Sequence, residues 1–116
     1  MKREPVTFFY ISLAVSILLG VAGQIVLKSA AIGAPSLMAQ LLSPLTVVGL
    51  VIYAAAATAY IVALNKIPVS IAFPSVGASY VVVAIIAHLL WNEPLGWAQW
   101  SGIILIAAGI TLIHQA

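Results

Sequence analysis

Gln24 and Lys28 stand one helical turn apart in the stretch GVAGQIVLKSA (residues 20–30), at the end of a long apolar run. An ionisable group in such a run is costly unless it meets a partner, so the two together are a candidate polar binding site. The plainer alternative is a lysine whose stem lets its head snorkel to water. Ser12, Ser16 and Gly20 continue the pattern, so that small or polar residues recur every fourth position from 12 to 28. A step of four on a 3.6-residue helix drifts by about 40° each time, which makes the stripe a coiling seam. The serines and Gly20 suit helix packing, where small residues allow close approach.

Glu93 is the only acid beyond the N-terminal tail. At the start of a helix it would stabilise the dipole by about 0.3–1 kcal/mol. Emerging on the same membrane face as Lys28, it could instead pair with that lysine. Tyr53 and Tyr60, with Gly49 and Ala56 on the same helical face, could line a groove or simply pack, and Tyr53 lies too deep for an interfacial belt. Pro74 sits inside the third apolar run, where it frees the carbonyl of Ser70 and predicts a bend. Ser75, Gly77 and Ser79 lie nearby, and kinked spans often mark a binding site. His88 reads as an interfacial or packed histidine. The sequence holds no catalytic triad, metal-spaced cluster or phosphate-cradling glycine loop, so no enzyme, metal site or cofactor is expected.

The elements that must position these residues follow from composition. Of 116 residues, 65% are hydrophobic and 5% charged, with no cysteine, which is far too apolar for a domain facing water. A net charge of +2 excludes a nucleic-acid surface. Four spans of roughly 20 residues fit as one domain, at about residues 6–29, 44–64, 69–91 and 95–113, all helical because lipid-exposed backbone must satisfy itself. The first is read as an uncleaved helix. Ser43 and Pro44 suit the start of the second helix, and Glu93 and Pro94 the start of the fourth. Residues 65–68 and 91–94 make tight links, so the neighbours they join are antiparallel. Within the longer 30–43 connection, PSLMAQLL is apolar enough to lie along the interface as a short helix. Lys2, Arg3 and Lys66 fall on one side against Lys28 on the other, which places the N-terminus in the cytoplasm. Ala98 and Gly102, with Gly109 a heptad on, predict a helix contact within the chain or with another, and so thin a bundle points to a dimer.

The stretch VAGQIVLKSA (21–30) and the run NKIPVSIAFPSVGASYVVVAIIAHLLWNEPLGWAQWSGIILIAAGITLI (65–113) resemble the drug/metabolite transporter superfamily in its four-helix form, related to the small multidrug resistance proteins. Within that group the chain resembles the small subunits of the aminoarabinosyl-phosphoundecaprenol flippase. These share V-A-G-Q with a lysine four residues after the glutamine, I-P-V-x-I-A-[YF]-P, and W-x-E-P. The resemblance covers roughly 60 of the 116 residues, and the 30–43 connection lies outside it. It implies an all-α membrane protein, a four-helix small multidrug resistance or EamA-like bundle in the bacterial inner membrane. The chain would act as half of a homodimer or heterodimer that moves a polyprenyl-phosphate-linked sugar or similar anionic lipid. Lys28 and Gln24, beside Gly20, would then hold the phosphate. Tyr53 and Tyr60 would contact the headgroup, and Ser79 and Glu93 would complete the site. Pro74 would let its helix flex, and Ala98, Gly102 and Gly109 would dimerise.

One departure separates the subfamilies. Small multidrug antiporters depend on a glutamate in helix 1, and alignment on GQIVLK puts Gly20 at its place. Proton-coupled cation export by that route is therefore unsupported. Export of small cationic or polar metabolites through a different cavity, or a non-transporting accessory role, are the alternatives.

Overall fold

The computed structural model describes residues 6–115. Lys2 and Arg3, on which the charge bias partly rests, lie outside the described residues. Six helices follow in order: α1 (Val6–Gly33), α2 (Leu37–Leu41), α3 (Pro44–Ala63), α4 (Val69–Val76), α5 (Ala78–Trp91) and α6 (Trp97–Gln115). Four spans are long and apolar enough to cross a membrane, with α4 and α5 forming the two halves of the third. The chain is a multi-pass membrane protein.

The first span runs four residues further than the expected Ser29. With no breaker before Gly33, the helix continues until Pro35 drives Ala34 out of helical geometry. Its 28 residues are about 42 Å long, more than the hydrocarbon core requires. The short helix expected in the connection is α2. Ser36 caps it by accepting from the Ala39 amide at 3.1 Å, and the buried Thr46 ties it to α3 by donating to the Gln40 carbonyl. Ser43 caps α3, accepting from the Leu45 amide at 3.2 Å, with Pro44 in the first turn as expected.

α1 packs along α3 for most of its length and meets α5 more sparsely. Ser12 donates to the Ala59 carbonyl at 2.7 Å and Ser16 to the Ala56 carbonyl at 2.8 Å, so these serines fasten the two helices. Phe9, Leu13, Ala63, Ile67 and Ala72 form the core, with Tyr60 packed against them, and this core lies at the N-terminal end of α1. Toward the other end, a groove is bounded by α1, α3 and α5. The molecule measures 54 × 37 × 18 Å. Since packed helices about 10–12 Å across lie with their axes about 8–10 Å apart, a thickness of 18 Å corresponds to about two layers of helices.

Two expectations are corrected. The third span does not merely bend at Pro74; it breaks at Gly77, where the amide of Gly77 donates to the Pro74 carbonyl at 2.9 Å and that of Tyr80 to Gly77 at 3.0 Å. These tight i to i+3 turns replace one α-helical turn, and Ser75 and Ser79 add bonds to the Ile71 and Val76 carbonyls at 2.7 and 2.6 Å. Nor do Glu93 and Pro94 start the fourth span. Pro94 keeps Glu93 out of helical geometry, and α6 starts at Trp97, preceded by a Gly96 amide that donates to Gln99 Oε1 at 3.0 Å. α6 packs on α4 and α5, with His114 Nε2 2.6 Å from the Ser75 hydroxyl, and none of its described residues is buried.

Candidate functional site

The drift of the α1 stripe decides which helix each of its residues meets. Ser12 and Ser16 face α3, whereas three further steps of four turn Gly20, Gln24 and Lys28 toward the groove between α1, α3 and the third span. The groove consists of three cavities joined through shared wall residues. At the outer end, a cavity of about 210 Å³ is lined by Gln24, Lys28, Val83, Ala87, Trp91 and Glu93. A cavity of about 410 Å³ follows, between Gly20, Gln24, Tyr53, Ser79, Tyr80 and Val83. The third, about 210 Å³, is almost wholly apolar, with Ser16, Gly20, Tyr53, Ala56, Tyr60 and Phe73 in its wall.

Lys28 therefore lines a groove, and its ammonium lies 3.4 Å from a Glu93 carboxylate oxygen, with both side chains about half exposed. Glu93 reaches it because the chain folds back after α5. Asn92 takes the left-handed conformation at φ 55°, which asparagine tolerates better than most residues, and the Glu93 amide points to the Ala87 carbonyl at 3.5 Å. His88 donates its Nδ1 hydrogen to the Glu93 carbonyl at 2.7 Å, so its role is to hold this turn.

Gly23 sets the position of Tyr53. A Cβ on Gly23 would lie 3.0 and 3.1 Å from two carbons of the Tyr53 ring, so the ring rests directly on the α1 backbone. Its polar neighbours are Gln24 and Tyr80. Gly20 differs, since a Cβ there meets nothing within 4 Å and its missing side chain leaves the groove open. Gly23→Val forces the stiff Tyr53 ring aside; overpacking of this kind costs about 1–3 kcal/mol. Thermal unfolding in detergent should show the loss, with Tyr53 becoming more accessible to chemical modification.

The structure thus brings together Lys28, Gln24 and Glu93, then Gln24, Gly20, Tyr53 and Ser79. Tyr60 lies at the opposite end from Lys28, against the core, with a buried hydroxyl that lacks a hydrogen-bond partner among the described residues. Pro74 stands one turn before the break. Ala98, Gly102 and Gly109 are remote from the groove on α6, and a Cβ on either glycine would meet nothing within 4 Å, so no helix among the described residues packs against these glycines. Trp91, Tyr80, Val83 and Gly23 were missed by sequence reasoning. A usable signal existed: Ser79, Val83, Ala87 and Trp91 recur every fourth residue, as the α1 stripe does.

Residues 2–115 match the EamA-like transporter family. The chain belongs to that family. Among curated relatives, a protein named a probable 4-amino-4-deoxy-L-arabinose-phosphoundecaprenol flippase subunit ArnF, from Shewanella sediminis, is 42% identical over 82 residues, 67% of this chain and 57% of that protein. One named a probable subunit ArnE of the same flippase, from Pseudomonas fluorescens, is 30% identical over 56 residues, 48% of this chain and 49% of its own length. An ArnF from Proteus mirabilis is 39% identical over 70 residues, 59% of this chain and 53% of that protein. The chain spans about half the length of the curated relatives it matches. No solved structure matches this family member.

Proposed function

We propose that this chain is a non-enzymatic flippase subunit that moves a polyprenyl-phosphate-linked sugar, or a similar anionic lipid, between leaflets of the bacterial inner membrane. The observation that carries the proposal is the placement of Lys28 in a groove wall beside Gln24, where a cation and an amide donor can hold a phosphate. The relatives' names point to the same substrate class. Tyr53 and Ser79, deeper in the groove, contact the headgroup in transit, the unpaired Tyr60 hydroxyl offers a polar stop at the far end, and the Pro74 to Gly77 segment flexes.

The groove is open on one side and the slab is 18 Å thick, so a second four-helix subunit, like or unlike, completes the passage. The open Ala98, Gly102 and Gly109 face of α6 is the contact we assign to it. The basic bias of Lys2, Arg3 and Lys66 supports a cytoplasmic N-terminus, an orientation that turns the Lys28 end toward the periplasm.

Export of small cations is less well supported, because the groove's described wall holds no acid except Glu93 at its rim, and that acid is already paired. Reconstitution separates the readings. Proteoliposomes should translocate a fluorescent polyprenyl-phosphate sugar and show no pH-driven flux of quaternary ammonium compounds. The reverse pattern identifies a cation exporter. Failure to move either, with groove variants silent and Gly102 and Gly109 variants harmful, identifies an accessory subunit.

A further inference from the structure

None of the described residues of α6 is buried, and Ser101 and Thr111 donate back to their own helix. Among the described residues, one side-chain hydrogen bond joins α6 to another helix. It is made by His114 in the last turn, whose Nε2 lies 2.6 Å from the hydroxyl of the buried Ser75. Ser75 stands between Pro74 and Gly77, in the segment where the third span breaks. Its hydroxyl also donates to the Ile71 carbonyl at 2.7 Å. A hydroxyl has one hydrogen, so the two contacts constrain each other. With that hydrogen on Ile71, His114 must donate from Nε2. With the hydrogen turned to Nε2, the ring keeps its own on Nδ1 and the Ile71 carbonyl loses the hydroxyl. The first arrangement favours a bent span, because a serine bonded back to the carbonyl four residues earlier distorts its turn. The imidazolium carries a hydrogen on both nitrogens and cannot accept, so it permits the first arrangement alone.

We propose that His114 is a positioning residue for the groove: its protonation, passed on by Ser75, sets how firmly the third span is held in its broken form. Val76, Ser79 and Tyr80 follow Ser75 in the chain and line the groove, so the break shapes its middle. The effect on flux rests on the transport reading proposed above, whereas the effect on the span does not. His114 is exposed at the end of α6, where protons reach it from water. Around it, α1 presents Tyr10, whose ring centroid lies 6.1 Å from that of His114, and α4 presents Ser75. On α5, Tyr80 lines the groove and His88 is committed to the Glu93 carbonyl. Lys66 adds a positive charge at the same end, in the link before α4, while Glu93 pairs with Lys28 at the other end. Imidazole is the side chain whose charge ordinarily changes between about pH 5 and 8, so the relay works in the range a bacterial membrane meets.

The test uses the full chain carrying Val69→Cys and Leu89→Cys, two exposed positions outside the groove that flank the break. The sequence holds no other cysteine, so spin labels go to these sites alone. Labelled protein is diluted with unlabelled chains in phosphatidylcholine nanodiscs, and pulsed electron resonance reads the distance between the labels. A broken span gives a shorter distance than a straightened one. With His114 and Ser75 in place, the ratio of short to long distances is expected to fall about 5-fold between about pH 5.5 and about pH 8, the scale separating a charge-assisted from a neutral hydrogen bond. His114→Gln, which donates and accepts without titrating, should hold one ratio at both pH values. His114→Arg, a donor only, should stay at the acid-side ratio. Ser75→Ala keeps the histidine and removes the relay, so its ratio should ignore pH. Because His114 is exposed, its two variants leave packing intact and decide the matter should Ser75→Ala lose stability. A ratio that ignores pH with both residues present, a response unaltered in His114→Gln, or one that survives in Ser75→Ala overturns the proposal. Flux of a polyprenyl-phosphate lipid in proteoliposomes should fall with the short-distance population, and flux that ignores that population overturns the positioning role. Absence of flux under every condition, with the ratio still following pH through Ser75, removes the transport reading and leaves the relay standing.

Discussion

Lys28→Met is expected to reduce translocation of a polyprenyl-phosphate lipid roughly 30-fold while leaving the fold intact. The size follows from the contact removed. A hydrogen bond from a charged donor to an anion contributes about 1.5–3 kcal/mol, and 2 kcal/mol corresponds to roughly 30-fold. The side chain's aliphatic length is kept by methionine, so packing along α1 changes little. The ion pair to Glu93 is lost, but both side chains are about half exposed, and such pairs are worth about 0–1 kcal/mol. Thermal stability of the variant should therefore stay close to wild type. Exchanging the two charges, with Lys28→Glu and Glu93→Lys together, offers a stricter version: it restores an ion pair but moves the cation from the helix wall to the rim. Transport should remain low in that double variant. Wild-type flux in Lys28→Met would remove the charge from the mechanism.

Much of this architecture was legible in the residues because the bilayer narrows the choices. Apolar length gave four spans, and Ser43 with Pro44 gave the start of α3 to the residue. The Lys28 and Glu93 pair was readable as a possibility, since both emerge on one membrane face. What escaped was set by backbone conformation and by contacts distant in sequence. The W-N-E-P segment looks like a helix start because acid and proline favour a first turn. Asn92 in the left-handed region and the Pro94 restriction on Glu93 instead make a five-residue link ending at Gly96. Gly20 and Gly23 are indistinguishable as letters, yet one borders open space and the other carries the Tyr53 ring. That difference depends on where α3 crosses α1, which no local pattern encodes. Tyr53 and Tyr60 share a helical face, but seven residues separate them by about 10 Å along the axis, enough to put one in the groove's polar middle and the other beside the core.

The break in the third span yields the second large effect. Gly77 has ordinary helical angles, φ −56° and ψ −21°, so alanine would be welcome there on propensity alone by about 1 kcal/mol. Sterics reverse the sign. A Cβ at Gly77 would lie 2.8 Å from the Pro74 carbonyl oxygen, a backbone atom that cannot swing away, and 3.5 and 3.6 Å from Ile110 and Ile106 of α6. The tight turn closed by the Gly77 amide on that same carbonyl must open, and the two halves of the span must realign. Val76, Ser79 and Tyr80 flank Gly77 and line the groove, so realignment reshapes the cavity at its centre. Forcing a side chain into packed backbone costs about 1–3 kcal/mol. Gly77→Ala is accordingly expected to lower translocation at least 10-fold, with a measurable fall in thermal stability. Gly33→Ala is the matched control, since its Cβ meets nothing within 4 Å and Gly33 lies outside the groove. If both alanine variants transport alike, the close approach of Gly77 to Pro74 is not what shapes the passage.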